Sequence, residues 1–257
     1  MPSLSRQEKS MNPPGDLDLK TNPWGKCARM LAGLVVAIAV LVLAGWLTGR
    51  LGLARWGDVD FVPMAPSTAL MTLLFSLGLM ANSQEAASRL NRAVTIVAAI
   101  VVFGLSGLLL IQWVFDFDCG LEAIIAHSHL ALRKFGGQPA GHMSPITAGG
   151  LLISSLALFI LQLATSRRAL LTWAAILALT TVAIGFVVSL GYAYGAPLFY
   201  DGSQIPIALP TGLSILLLGV GVLVAAGPSA WPMRRLVGPA VSARLMGYSC
   251  HRSCSSF

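Results

Sequence analysis

Six stretches of this chain contain no Lys, Arg, Asp or Glu: residues 30–49, 61–84, 93–115, 135–166, 169–200 and 202–233, each at least 20 residues long. A helix that crosses a bilayer needs ~20 consecutive apolar residues, and lipid leaves the backbone no partner outside helices or closed barrels. Six such runs in 257 residues constrain the fold more than any motif does. Only 11% of the residues are charged and 56% are hydrophobic, whereas water-soluble domains carry about a quarter charged residues. The expected fold is therefore all-α and integral to a membrane. Six transmembrane helices are expected near 30–48, 65–82, 93–114, 145–165, 169–190 and 209–227.

The first run reads as an uncleaved anchor, because a long polar arm precedes it and Gly45-Trp46-Leu47-Thr48 is a poor cleavage site. Three regions are expected: a disordered cytoplasmic arm over 1–28, a six-helix module over 29–228 and a basic cytoplasmic tail over 229–257. The four cysteines, Cys27, Cys119, Cys250 and Cys254, have no framework spacing.

Charge sets the expected orientation. With both termini and the second and fourth loops on one side, that side holds 13 of the 17 basic residues against 4 acids, a net +9. The other side holds 4 basic residues against 6 acids, a net −2. Basic loops stay cytoplasmic, so both termini are expected inside. The net charge of +7 is then a topology signal. No basic patch alternates with aromatics, so nucleic acid is not an expected partner. Two aromatic belts are expected, with Trp46, Trp56, Trp113, Phe115, Tyr192, Tyr194 and Tyr200 near the outer ends and Trp24, Trp173 and Trp231 near the inner ends.

Three of the runs open alike. Met64-Ala65-Pro66-Ser67-Thr68-Ala69, Met143-Ser144-Pro145-Ile146-Thr147-Ala148 and Ala208-Leu209-Pro210-Thr211-Gly212 each lead into Leu-rich sequence, the last with one residue fewer between Pro and Thr. The implied architecture is three parallel-repeated helical hairpins, each a helix going out and a Pro-Thr helix returning. One reading of the motif is helix initiation, since proline is preorganised in a first helical turn. The other is a ligand site in the outer leaflet, formed by Pro66, Thr68, Pro145, Thr147, Pro210 and Thr211, where free N–H groups and positive dipole ends converge.

These motifs, with Gly141-His142 before the second and Leu190-Gly191-Tyr192-Ala193-Tyr194-Gly195-Ala196-Pro197 before the third, resemble a bacterial membrane region. It is found at the N-terminus of PAS-containing sensor histidine kinases and of diguanylate cyclases. The resemblance spans roughly residues 25–245 and implies a sensory role with a catalytic output domain following the membrane region. The sequence after Met246 carries no kinase, cyclase or PAS signature. No enzymatic activity is expected of this chain, and its tail reads either as the end of a truncated or frameshifted product or as a natural short tail. Cys250, His251 and Cys254 are too few and too closely spaced for a zinc site.

The longest outer loop, about 115–144, holds the remaining reactive side chains. If residues 119–132 form an amphipathic helix, Cys119, Glu122 and His129 share a face and are metal-ligand types. A pH-sensitive histidine and an ordinary solvated loop are the other readings. No GxSxG, HExxH or Walker sequence is present, and no cofactor is expected. No ionisable residue lies in mid-span, which weighs against ion-coupled transport. Gly104, Gly107, Ala174, Ala178, Gly221 and Ala225 suggest close helix packing or simply membrane composition. The expectation is a membrane-embedded signal-transduction input module in the bacterial inner membrane. Its partners would be the lipid bilayer and a small or membrane-soluble ligand, with a homodimer left open. A small-molecule transporter and a ligand-free scaffold are the alternatives.

Overall fold

The structure, a computed structural model, describes residues 23–56, 61–84, 88–117, 120, 122, 134–135, 138–139, 141–164, 167–195, 207–227 and 230. Its long helices are α1 (Pro23–Thr48), α3 (Pro66–Asn82), α4 (Arg89–Phe115), α5 (Pro145–Leu163), α6 (Arg168–Ala193) and α7 (Leu209–Ala226). A single turn, α2 (Gly52–Arg55), follows α1. A two-residue antiparallel pair, β1 (Lys134–Phe135) with β2 (Gln138–Pro139), lies between α4 and α5. Neither α2 nor the strand pair is foreshadowed by hydropathy, because each is too short to carry a period.

Five helices, α1, α4, α5, α6 and α7, are long and apolar enough to cross a membrane. The remaining one, α3, is apolar but has 17 residues. The helix ends follow local chemistry. At the start of α4 the Ser88 hydroxyl accepts the Asn91 N–H at 3.0 Å, a side-chain cap of the usual kind. Its end turns at Asp116, in the left-handed region with φ 51°. α7 stops at Gly227, φ 78°. α1 is already helical from Pro23, inside the stretch expected as arm, whose residues 1–22 lie outside the described residues. Proline fits the first helical turn, where its missing N–H has no intrahelical use.

The six long helices close a ring in the order α1, α3, α4, α5, α6, α7 and back to α1. α3, α5 and α7 also touch one another across the middle. Burial agrees: 61% of the apolar window of α7 is buried, against 33% for α4 and for α6. The three helices that open with the Pro-Thr motif are therefore the central ones. Phe75, Leu79, Leu151, Leu158, Leu218 and Val222 fill the space between them. α1, α4 and α6 turn outward such residues as Leu34, Val97, Phe103 and Phe186, all more than half or nearly half exposed. Such apolar surface suits a lipid environment.

Not every aromatic faces outward. Trp113 and Trp173 are exposed as a belt requires, but Trp46 is 6% exposed and donates Nε1–H to the Met64 carbonyl at 2.8 Å. Met64 in turn donates its N–H to the Ala54 carbonyl at 2.9 Å. Trp46 and α2 thus fix where the chain enters α3. Tyr192 donates its hydroxyl to the Ile207 carbonyl at 2.6 Å and meets Phe61 edge-on at 5.0 Å. Both residues tether loops, so the outer belt expected from sequence loses two of its members.

Candidate functional site

The three Pro-Thr helix starts are the same structure three times over. Their N-caps, Ala65, Ser144 and Ala208, have φ/ψ of −62/145, −66/140 and −69/147, and none makes a side-chain cap bond. In each, the small fourth helical residue donates its N–H to the N-cap carbonyl: Ala69 to Ala65 at 3.0 Å, Ala148 to Ser144 at 3.0 Å and Gly212 to Ala208 at 3.1 Å. Thr68, Thr147 and Thr211 consequently all occupy the third helical position. The motifs coincide at threonine. Proline is the residue that shifts, being first in α3 and α5 and second in α7. Either place is tolerated, since the first four N–H groups of a helix have no intrahelical acceptor.

The three starts lie at one end of the bundle. Met64, Ala69 and Ala208 share a buried cluster with Trp46, against which Leu213 packs, bringing α3 and α7 together. α3 and α5 meet through a carboxylate. Glu122 Oε1 accepts the Met143 N–H at 2.7 Å and the Ser67 hydroxyl at 3.2 Å, while Oε2 lies 2.8 Å from His142 Nδ1. A carboxylate only accepts, so Nδ1 carries the proton in that contact. The Glu122 side chain is 11% exposed and that of His142 is 41% exposed.

Thr68, Thr147 and Thr211 are 2%, 1% and 3% exposed, so they face the protein interior and not lipid. Pro66, Pro145 and Pro210 are buried beside them. Two further hydroxyls at this end, Ser144 Oγ and Ser214 Oγ, are buried with no hydrogen-bond partner among the described residues. A buried hydroxyl without a partner costs on the order of 1–3 kcal/mol, so these two are where a polar ligand or a water gains most. A cavity of about 180 Å³ lies elsewhere, between α4 and α5, lined by Ala99, Ile100, Phe103, Ser155, Leu156 and Phe159. None of the three threonines lines it.

Of the metal-ligand trio expected in the long loop, Cys119 and His129 lie outside the described residues. Glu122 is described, and both of its oxygens are engaged by hydrogen-bond donors. Among the described residues no group of three or more His, Cys, Asp or Glu could hold a metal ion. Sequence reasoning missed Glu122 as a bridge. The available signal was a lone acid set between Leu121 and Ile124-Ile125, an apolar context in which a carboxylate needs partners.

At the opposite end the same two helices, α3 and α5, are joined again. Gln162 Nε2 donates to Asn82 Oδ1 at 2.8 Å, and Arg92 Nη2 approaches the Gln162 carbonyl at 3.5 Å. The Thr95 hydroxyl of α4 donates to the Gly78 carbonyl at 2.9 Å. Comparison with protein-family models, curated proteins and solved structures finds no match for this chain.

Proposed function

We propose that this chain is a membrane-embedded sensory module of a bacterial signal-transduction protein, reading a small or membrane-soluble ligand where its three Pro-Thr helix starts meet. The observation that carries the proposal is the double fastening of α3 to α5: Glu122 joins them at one end, and Asn82 with Gln162 at the other. Between these ends Phe75 and Leu79 of α3 share an apolar core with Leu151 and Leu158 of α5, and packed cores shift between discrete arrangements instead of deforming continuously. A ligand that unfastens the first end alters the load on the second. Its effect is limited to its differential affinity for the two arrangements.

The reading takes α3 as the sixth span. Its 17 residues give about 26 Å at 1.5 Å per residue, and buried Val62, Met64 and Ala65 lengthen the apolar segment ahead of it. An even number of crossings puts Lys26, Arg29, Arg89, Arg92 and Arg167 on one side, as a cytoplasmic basic face demands. The helices then form three hairpins in the same sense, α1 with α3, α4 with α5 and α6 with α7. Their Lys and Arg residues stand within the first two turns of α1, α4 and α6, and no Lys, Arg, Asp or Glu occupies the middle of any described helix. Ion-coupled transporters usually keep one there, which favours sensing over transport.

Two measurements test this. Topology reporters fused after residues 87 and 167 should read cytoplasm, and those near 58, 130 and 202 the outside. A reporter at 87 that reads outside overturns the six-span arrangement. For function, residues 1–233 are fused to the cytoplasmic kinase of an unrelated sensor. Glu122→Ala and Gln162→Ala should each change kinase output several-fold at equal protein level. Identical output from wild type and both variants removes the sensory reading.

A further inference from the structure

The Glu122 carboxylate is held as a bound anion would be. One oxygen accepts from Ser67 of α3 and from the Met143 N–H just before α5, and the other faces His142 Nδ1. Ser67 is itself 1% exposed. The two helices add their positive ends, and neither has a side-chain cap of its own to satisfy them. A further hydroxyl stands next in the chain to Met143. Ser144, between Met143 and Pro145, is 5% exposed, and its hydroxyl has no partner among the described residues.

We infer that the meeting point of the α3 and α5 starts is a receptor for a small carboxylate, and that Glu122 is its tethered, displaceable occupant. As the ligand class of the sensory module, this inference rests on that reading. A free carboxylate of acetate or propionate size presents the same two oxygens without the restraint of the chain. It accepts from Ser67, Met143 and His142 as Glu122 does and is free to engage Ser144 as well. The competition is between an intramolecular group at high effective concentration and an untethered ligand with one more donor. Displacement unfastens α3 from α5.

The test uses the purified full-length chain in detergent and reads the thermal unfolding midpoint. Glu122→Ala should lower the midpoint, and acetate at roughly 100 mM, which saturates even a millimolar site, should restore a large part of the loss. Acetamide at the same concentration, similar in shape but uncharged, should restore little. Wild type should respond weakly, because its site is already filled. Glu122→Gln keeps the shape of the side chain and guards against misfolding of the alanine variant. It too should be stabilised by acetate more than wild type is. Adding Ser144→Ala to either variant should weaken the acetate response. Equal responses to acetate and acetamide in both variants, or an equal acetate response in variants and wild type, overturn the inference. Acetate binding with unchanged output from the kinase fusion would instead remove the sensory reading and leave the receptor standing.

Discussion

The helix pairs α4/α5 and α6/α7 open their second helices with the same Pro-Thr start, yet they pack by different means. α6 and α7 approach backbone to backbone. A Cβ on Gly185 would lie 2.7 Å from Leu216 Cα and 2.9 Å from the Gly212 carbonyl oxygen, and one on Gly219 would lie 2.8 Å from the Val182 nitrogen. α4 and α5 meet through side chains. A Cβ on Gly107 would meet only the Leu152 side chain, at 3.5 Å, and the 180 Å³ cavity lies in the same groove. The polar fastening is divided the other way. The proline end of α5 is held to α3 by Glu122, whereas α6 and α7 are linked at that end by the Tyr192 hydroxyl on the Ile207 carbonyl. Where backbones touch, van der Waals packing suffices for association in lipid. The start of α5 is fixed to α3, and not to α4, by the Glu122 carboxylate.

The largest expected effect is on the tight pair. Gly185→Leu should separate α6 from α7 and cost about 1–3 kcal/mol or more through overpacking, read as a lowered midpoint in denaturant unfolding from micelles. Gly104→Leu, at an open position, should be nearly silent. Similar losses at both sites would mean that the Gly185 loss does not come from the α6/α7 contact. Next is the clasp. Glu122→Ala strands the Met143 N–H and the Ser67 hydroxyl, at a cost on the order of 1–3 kcal/mol. Cysteine cross-linking between α3 and α5 at the proline end should fall in that variant, while cross-linking of α6 to α7 should not. If both fall together, the two pairs are one mechanical unit.

A smaller loss is expected from Tyr192→Phe, which removes one neutral hydrogen bond, about 0.5–1.5 kcal/mol. It should speed hydrogen exchange at the start of α7 and leave that of α5 alone. The smallest is Gly107→Ala, whose new methyl meets Leu152 at ordinary contact distance. A change within ~0.5 kcal/mol is expected, as for substitutions that create neither cavity nor clash. A large loss there would mean that the α4/α5 groove is as tight as its neighbour.

Much of this was legible in one dimension. Helix positions follow from where charge is absent and where proline, serine or glycine punctuates the chain, so α3, α5 and α7 begin within a residue of their expected starts. The three like motifs were visible too. Their common register was not, because the sequence offers proline as the natural anchor, and only the backbone hydrogen bonds of Ala69, Ala148 and Gly212 show that threonine is the equivalent position. The candidate site was half legible. Recurrence singles out the threonines, but the sequence offers Glu122 only as one of three metal-ligand types in a loop that also reads as ordinary and solvated, and it gives Ser67, Ser144, His142 and Trp46 no part in the site.

By itself the sequence determined that this chain makes apolar helices, how many charge-free runs supply them and which share a starting motif. These are properties of local composition and of groups near in the chain. Only the tertiary structure decided which faces meet. A helix that is apolar all round has no polar stripe to mark its inward side, so nothing in α6 or α7 announces that Gly185 and Gly219, and not Gly104, lie where backbones touch. The placing of Glu122 is decided the same way. It is 55 residues from Ser67 and 21 from Met143, and only the packing of α3 against α5 brings their donors to a single carboxylate.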